Sequence, residues 1–274
     1  MLIAQITDSH LRVEGTRLFG AVDTFGALQR AIDHINASDP GPDAVIFTGD
    51  LVHDGEAEDY AALAALLRRL SAPVFAIPGN HDRRELTRTA LAFTGVMPDA
   101  GPIHYIADAG AVRLIGLDSL VEGHEHGHLG GDQLAWLDDQ LKAAPGRPTL
   151  LFLHHPPFAT GIGFMDAIKL DDGEALAAVI GRHNHVGLIA CGHVHRMIVN
   201  RMGSVPVVVA PGVAHHVGLD LTEGAPSNWI QEPPAYLLHC WSAEEGFVTH
   251  QVFIGDYGAA TPFSKHHPHV ETQL

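Results

Sequence analysis

Five apolar runs in this chain stop abruptly at clusters of His, Asp and Asn. Residues 2–7 (LIAQIT) run into Asp8-Ser9-His10, 44–48 (AVIFT) into Gly49-Asp50, and 74–77 (VFAI) into Pro78-Gly79-Asn80-His81-Asp82. Residues 149–153 deliver His154, and 186–190 lead to Cys191-Gly192-His193-Val194-His195. Short apolar runs bounded by turn residues read as strands buried on both faces. Open α/β sheets bind ligands beyond the carboxyl ends of their strands. All five clusters lie at that end. The chain is therefore constrained to bring Asp8, His10, Asp50, Asn80, His154, His193 and His195 to one sheet edge.

Helical periods fill the gaps. Leu28, Ala31, Ile32 and Ile35 fall on one face of a helix over 24–37, which Asp39-Pro40-Gly41-Pro42 breaks. Tyr60, Leu63, Leu67 and Leu70 do the same over about 56–70. The first 82 residues thus read β-α-β-α-β, a parallel sheet with right-handed crossovers. Further helices are expected at 84–93, 131–142 and 173–183, and a strand pair at 103–107 and 111–117, with a Pro- and Gly-rich loop at 155–170. After 196 the pattern becomes β: 197–202, 205–210, 235–241 and 247–254. This divides the chain into a catalytic core at 1–196, a β-rich segment at 197–255 that completes a second sheet and serves as cap or oligomer contact, and a tail at 256–274.

Composition removes several classes of function. The formal charge is −16 over 274 residues, opposite to the basic surface a nucleic-acid binder needs. A phosphate site in such a chain needs its own local positive charge, which metal ions supply. No apolar stretch reaches membrane-spanning length. The N-terminal Met1-Leu2-Ile3-Ala4 enters a strand without a basic leader, so no export signal is expected. Cys191 and Cys240 are too few for a disulfide framework, and a reducing cytoplasm is the expected compartment.

The seven edge residues offer only nitrogen and oxygen: four His, two Asp and one Asn. That set suits Zn, Mn, Fe or Co. Seven ligands serve two ions best if one is shared, and a carboxylate has two oxygens with which to bridge. Asp50, on the middle strand, is the expected bridge. Two divalent ions, two carboxylates and a bridging hydroxide leave the site near +1, matched to a phosphodiester. Two ions about 3.5–4 Å apart clamp the attacking and leaving oxygens of an in-line displacement. Taken alone, Asp8-Ser9-His10 and Gly49-Asp50 read better as polar turns, His154-His155 and Gly192-His193-Val194-His195 read also as structural, and Pro78-Gly79-Asn80-His81-Asp82 is the least readily only a turn. Their joint order, all at strand ends, is what carries the metal reading.

The set Asp8-x-His10, Gly49-Asp50, Gly79-Asn80-His81-Asp82, His154 and Gly192-His193-x-His195 resembles the calcineurin-like binuclear metallophosphoesterases over roughly residues 1–200. It looks closest to the bacterial branch of class III cyclic-nucleotide phosphodiesterases and glycerophosphodiesterases, with Arg17-Leu18-Phe19-Gly20, His154-His155-Pro156-Pro157 and Pro211-Gly212-Val213-Ala214-His215 as further likenesses. The resemblance implies a four-layer α/β-β/α sandwich of two mixed sheets flanked by helices. It implies one metal on Asp8, His10, Asp50 and His195, and a second on Asp50, Asn80, His154 and His193. His81 would contact phosphate or protonate the leaving group, and Asp82 would orient its neighbours. Asp50, Asn80 and His81 carry the catalysis on this reading. The resemblance also implies a homo-oligomer, a dimer or larger.

The expected reaction is hydrolysis of small phosphodiesters, either 3′,5′-cyclic nucleotides such as cyclic AMP or glycerophosphodiesters, with the shared hydroxide as nucleophile. Asn80, His81, His195, Phe19 and His215 are the expected substrate contacts, with a structural role the alternative for His215. The other readings are a phosphomonoesterase or protein phosphatase on the same centre, and a metal-holding scaffold without turnover. A monoester site wants added cationic contacts, and 153–170 with 191–195 offer only Lys169. His124, His126 and His128 read as a solvated loop or a pocket rim, Arg12 and Arg17 as surface or entrance, and His266, His267 and His269 as a fraying tail.

Overall fold

The computed structural model describes residues 1–263, so the His266, His267 and His269 tail lies outside the described residues. Strands β1 (Leu2–Ile6), β2 (Ala44–Thr48) and β3 (Val74–Ile77) alternate with helices α1 (Thr24–Asn36) and α2 (Ala57–Leu67). Helix α3 (Arg84–Ala90) is followed by a 3-10 turn at Ala92–Thr94, closed by Gly95 at φ 74°, so the helix expected over 84–93 is split. Then come β4 (Tyr105–Ala109), β5 (Val112–Gly116), α4 (Gly130–Ala143), β6 (Thr149–Phe152), α5 (Gly163–Asp166), α6 (Gly173–Ile180) and β7 (Val186–Cys191). The chain ends in β8 (Ile198–Met202), β9 (Val205–Val209), β10 (His216–Val217), β11 (Trp229–Ile230), β12 (Ala235–Ser242) and β13 (Gly246–Phe253).

The strands form one sheet in the order β13-β12-β1-β2-β3 and another in the order β4-β5-β6-β7-β9-β8. β1, β2 and β3 pair in parallel, as do β5, β6, β7 and β9. Strand alternation then sorts the apolar residues. Ile3, Ala44, Ile46, Leu114, Leu150, Phe152 and Leu188 face the gap between the sheets. Their neighbours Ala4, Ile6, Val45 and Phe47 pack against α1 and α2. Ile115, Leu151 and Ile189 pack against α4 and α6. Three cores thus separate four layers, the α/β-β/α sandwich expected. Strands apolar on both faces lose the alternating pattern of a half-exposed sheet and read as continuous runs.

The segment 197–255 differs from expectation in where it goes. β8 and β9 complete the second sheet, but β12 and β13 extend the first, with β12 antiparallel to β1 in the register Leu2 opposite Cys240. Nothing local in residues 235–253 encodes that partner, which lies more than two hundred residues away. The 155–170 loop holds one short helix, α5, set by Asp166, whose carboxylate accepts from Thr160 N at 2.6 Å and Gly161 N at 2.9 Å.

A buried polar chain ties the two sheets together. Gln5, fully buried, donates through Nε2 to Thr48 Oγ1 at 3.0 Å and to Cys191 O at 2.8 Å on the other sheet. Its Oε1 accepts from His239 Nε2 at 3.0 Å. Burial pushes the His239 pKa down to about 3, so that ring is neutral with its proton on Nε2. Gln5→Leu keeps the volume but strands these partners, and it should cost about 1–3 kcal/mol in urea unfolding of the metal-free protein. An unchanged stability would remove Gln5 from this role.

Candidate metal centre

Parallel pairing places the ends of β1, β2 and β3 beside those of β6 and β7, and the loops after them are stapled across. Asp8 N donates to Gly49 O at 3.1 Å, His10 N to Asp50 O at 3.0 Å, and Gly192 N to His154 O at 2.9 Å. His193 N donates to the Asp8 carboxylate at 3.0–3.1 Å. Asp82, buried, accepts from Gly79 N at 2.8 Å, Leu51 N at 3.0 Å and Tyr60 OH at 3.0 Å. It thereby clamps the second loop to the third. Burial and the nearby Asp50 charge push its pKa up to about 6.

The backbone at this edge is strained. Among the described residues, the non-glycine positions at positive φ are Asp8, His10, Phe19, Asp50, His193 and His195, at 42–72°. Left-handed conformations of this kind cost on the order of 1 kcal/mol or more each and gather at functional sites. Five of the six are expected ligands and the sixth an expected substrate contact. Two glycines let the loops close. A Cβ on Gly79 would stand 2.2 Å from Asp50 Oδ1, and one on Gly192 2.1 Å from Thr7 Oγ1.

All seven expected ligands converge. Asp50 Oδ2 lies 3.3 Å from His10 Nε2 and 3.4 Å from His154 Nε2, so one oxygen reaches both halves of the site. Asp8, His10, Asp50 and His195 have ligand atoms within 4.8 Å of one another. His195 Nε2 is 3.2 Å from Asp8 Oδ1 and 3.1 Å from His10 Nε2. On the other side, Asn80 Oδ1 lies 3.1 Å from His154 Nε2 and 3.0 Å from His193 Nδ1. Neighbouring ligands on one ion, with bonds of about 2.0–2.1 Å, stand about 3.0–3.4 Å apart, which these spacings match.

Lone pairs decide the fit. His154 Nδ1 donates to Thr48 O at 2.7 Å, and His195 Nδ1 to His215 O at 3.1 Å. In their neutral forms both rings aim a bare Nε2 at a carboxylate oxygen. Acceptors so placed repel one another unless a proton or a cation lies between them. Carbonyl partners of this kind fix the tautomer of a metal-ligating His. The protonation of the cluster follows. Burial lowers His154, but the Asp50 carboxylate outweighs it and raises the pKa to about 9. His195 is raised likewise against burial by Asp8. Burial and neighbouring imidazoles hold His10 and His193 well below the usual value. Burial works to raise Asp50, yet His154, His81 and His10 bring it well below the usual carboxylate range.

Other residues belong here without having been singled out by sequence. His53 accepts from His81 Nδ1 through its carbonyl at 2.9 Å, stacks on the His81 ring at 4.8 Å, and faces His10 Nδ1 with its own Nδ1 at 3.1 Å. His155 sits 2.8 Å from Ser119 Oγ and 3.0 Å from Glu125 O, its ring 4.5 Å from His193. His155 was visible only as part of His-His-Pro-Pro; His53 stands in an ordinary polar loop.

A cavity of about 570 Å³ opens over the centre. Asn80, His81, His215 and Phe19 line it, with α5 residues on one wall and Trp229 on the rim. His215 is buried and its pKa is pushed down to about 2 by burial and His195. Among the described residues no Lys or Arg lines the cavity. Arg12 pairs with Asp54 at 2.9 Å and Arg17 donates to Ala21 O at 2.9 Å, both away from it. His126 and His128 pair with Asp171 and Asp172 at 3.4 and 3.5 Å; of that loop only Glu125 lines the cavity. Cys191 is core, and burial raises its thiol; both cysteines are free.

Two sheets with helical flanks, and a shared carboxylate between two sets of N and O donors at their common edge, define a binuclear metallohydrolase. The chain belongs to the calcineurin-like phosphoesterase family, whose model matches residues 1–197. It is 36% identical over 264 residues to the probable glycerophosphodiester phosphodiesterase GpdQ of Arcobacter nitrofigilis, covering 96% of this chain and 97% of that one. It is 37% identical over 255 residues to a probable cyclic nucleotide phosphodiesterase of Rhodopseudomonas palustris, covering 92% of each. Against the 3′,5′-cyclic adenosine monophosphate phosphodiesterase CpdA of Escherichia coli K12 it is 34% identical over 194 residues, 71% of this chain and 69% of that one. In fold it is similar to a dimetal phosphatase from Danio rerio, with TM-score 0.60 and 14% identity over 93% of this chain and 99% of that one.

Metal must displace protons from His154 and His195. Adding Mn²⁺ or Zn²⁺ to metal-free protein at pH 7 should release protons, and affinity should rise between pH 6 and 9. Calorimetry in buffers of different ionisation enthalpy reads this directly; binding without proton release would contradict the protonation pattern. In the metal-free chain the raised His154 pKa makes its ion pair with Asp50 stabilising below the unfolded value near 6.5. That stability should fade as pH climbs through about 9.

Proposed function

We propose that this chain hydrolyses small phosphodiesters, 3′,5′-cyclic nucleotides or glycerophosphodiesters, at the centre formed by Asp8, His10, Asp50, Asn80, His154, His193 and His195. The observation that carries the reading is the cavity itself. Among the described residues its walls offer imidazoles, Asn80 and the acidic Glu125 but no Lys or Arg. A monoester dianion would lack the second set of cationic contacts it needs, while a monoanionic diester is matched by the bound cations alone. The same shortage weighs against a phosphoprotein substrate.

When bound, the paired cations supply Lewis acidity, neutralise phosphoryl charge and acidify a water. The protein does the rest. Asp50 holds the two half-sites together, and His81 N donates to Asp50 Oδ1 at 3.0 Å, fixing the third loop against it. With His81 Nδ1–H held by His53 O, Nε2 is the nitrogen left for substrate. In its protonated form it hands a proton to the departing alkoxide. Asn80 contributes its amide at the half-site with His154 and His193, adjoining the phosphoryl position. His195 and His215 border the opposite side.

The chain does this, on our reading, in the cytoplasm and as a homo-oligomer. The free cysteines fit a reducing compartment, and no helix among the described residues is long and apolar enough to cross a membrane.

Asn80→Ala and His81→Ala should each lower kcat on bis(p-nitrophenyl) phosphate by about 100-fold or more. Full activity of EDTA-stripped enzyme would refute the metal role. The metal-loaded enzyme should also turn over diesters faster than p-nitrophenyl phosphate; the reverse order would favour the monoesterase reading.

A further inference from the structure

Two aromatic rings stand at the cavity mouth and belong to none of the three cores. Phe19 is 52% exposed and Trp229 39%. They stack on each other, with centroids 5.2 Å apart and planes 24° from parallel. Both meet the His215 ring edge-on, at 5.7 and 6.4 Å. Such apolar faces left open to water mark contact surfaces.

Their placement is built. Phe19 sits at the tip of a turn closed by reciprocal bonds between Leu18 and Val22, each 2.9 Å, and it holds φ at 53°. A bulky side chain at positive φ is a strained choice for a turn tip. Trp229 is fixed in the ribbon of β10 and β11, opposite Val217 and so close to His215. Ser227, Asn228, Phe164 and Ile168 line the same cavity.

An occupant must gain from flat ring faces while its phosphorus lies over the metal ligands. Glycerol has no planar face to offer. A heteroaromatic base has two, and its edge carries donors and acceptors for Ser227 and Asn228. Trp229 reaches His10 in two ring-to-ring steps, 6.4 Å to His215 and 5.3 Å onward, so the rim and the metal ligands border one cavity. We propose that Phe19 and Trp229 form a stacking platform for the base of a nucleotide phosphodiester, and that this rim selects nucleotide diesters over glycerophosphodiesters. The proposal rests on the phosphodiesterase reading of the centre.

The test uses the metal-loaded full-length chain, with Trp229→Ala, Trp229→Phe and Phe19→Leu beside the wild type. Values of kcat/KM are compared for cyclic AMP and glycerophosphoethanolamine. The wild type should prefer cyclic AMP, and in Trp229→Ala the ratio of the two values should fall by about 10-fold or more, mostly through KM for cyclic AMP, as loss of one base stack implies. Trp229→Phe should restore much of it, and Phe19→Leu should lower the ratio in the same direction. Free adenosine should inhibit the wild type competitively and Trp229→Ala far less. Equal losses on both substrates, a wild-type preference for glycerophosphoethanolamine, or no inhibition by adenosine would each overturn the platform. If the wild type hydrolyses neither diester, the reading of the centre fails. Tryptophan fluorescence then decides the platform alone: quenching by adenosine that Trp229→Ala abolishes upholds it, and no quenching overturns it.

Discussion

The structure depends on one carboxylate oxygen. Asp50 Oδ2 stands between His10 Nε2 and His154 Nε2 at 3.3 and 3.4 Å, in a pocket where Asp8, His193 and His195 are also buried. Buried ionisable groups gathered in this way are costly to desolvate, and the left-handed backbones that aim them are strained. They are held because three hydrophobic cores fix the strands whose ends carry them, and because cations bind the native arrangement in preference to the unfolded chain. Gly79 and Gly192 matter for the same reason: the loops could not approach Asp50 and Thr7 with a side chain there.

The parts of this arrangement legible in the sequence are those where burial acts on consecutive residues. Residues 44–47 and 186–190 carry no polar side chain because each strand faces a helix layer on one side and the other sheet on the other. Their ends are therefore sharp, and Asp50 and His193 could be placed at the edge. The register of β12 against β1 left no local trace, since pairing Leu2 with Cys240 depends on contacts distant in sequence. His53 was invisible for a different reason. Its contribution is a carbonyl and a ring contact to residues already assigned, and a polar loop residue gives no sign of that. Trp229 joins the rim only through a two-residue ribbon, too short to carry a period.

Charge at the site follows from charge on the whole. A chain at −16, with a cavity whose walls carry no Lys or Arg among the described residues and whose histidines His10, His193 and His215 are driven towards neutrality, has little resident positive charge with which to attract an anion. The cations must supply nearly all of it. This couples substrate choice to metal loading more tightly than in a site lined with arginine, and it leaves shape and stacking at the rim to distinguish one monoanionic diester from another.

The claim that Asp50 joins two cation sites is tested most directly by counting metal. Protein stripped, reloaded with Mn²⁺ at a small excess and desalted should carry two ions per chain by inductively coupled plasma mass spectrometry, and Asp50→Asn no more than one. One ion per wild-type chain, or two retained in Asp50→Asn with unchanged affinity, would contradict the shared-carboxylate account.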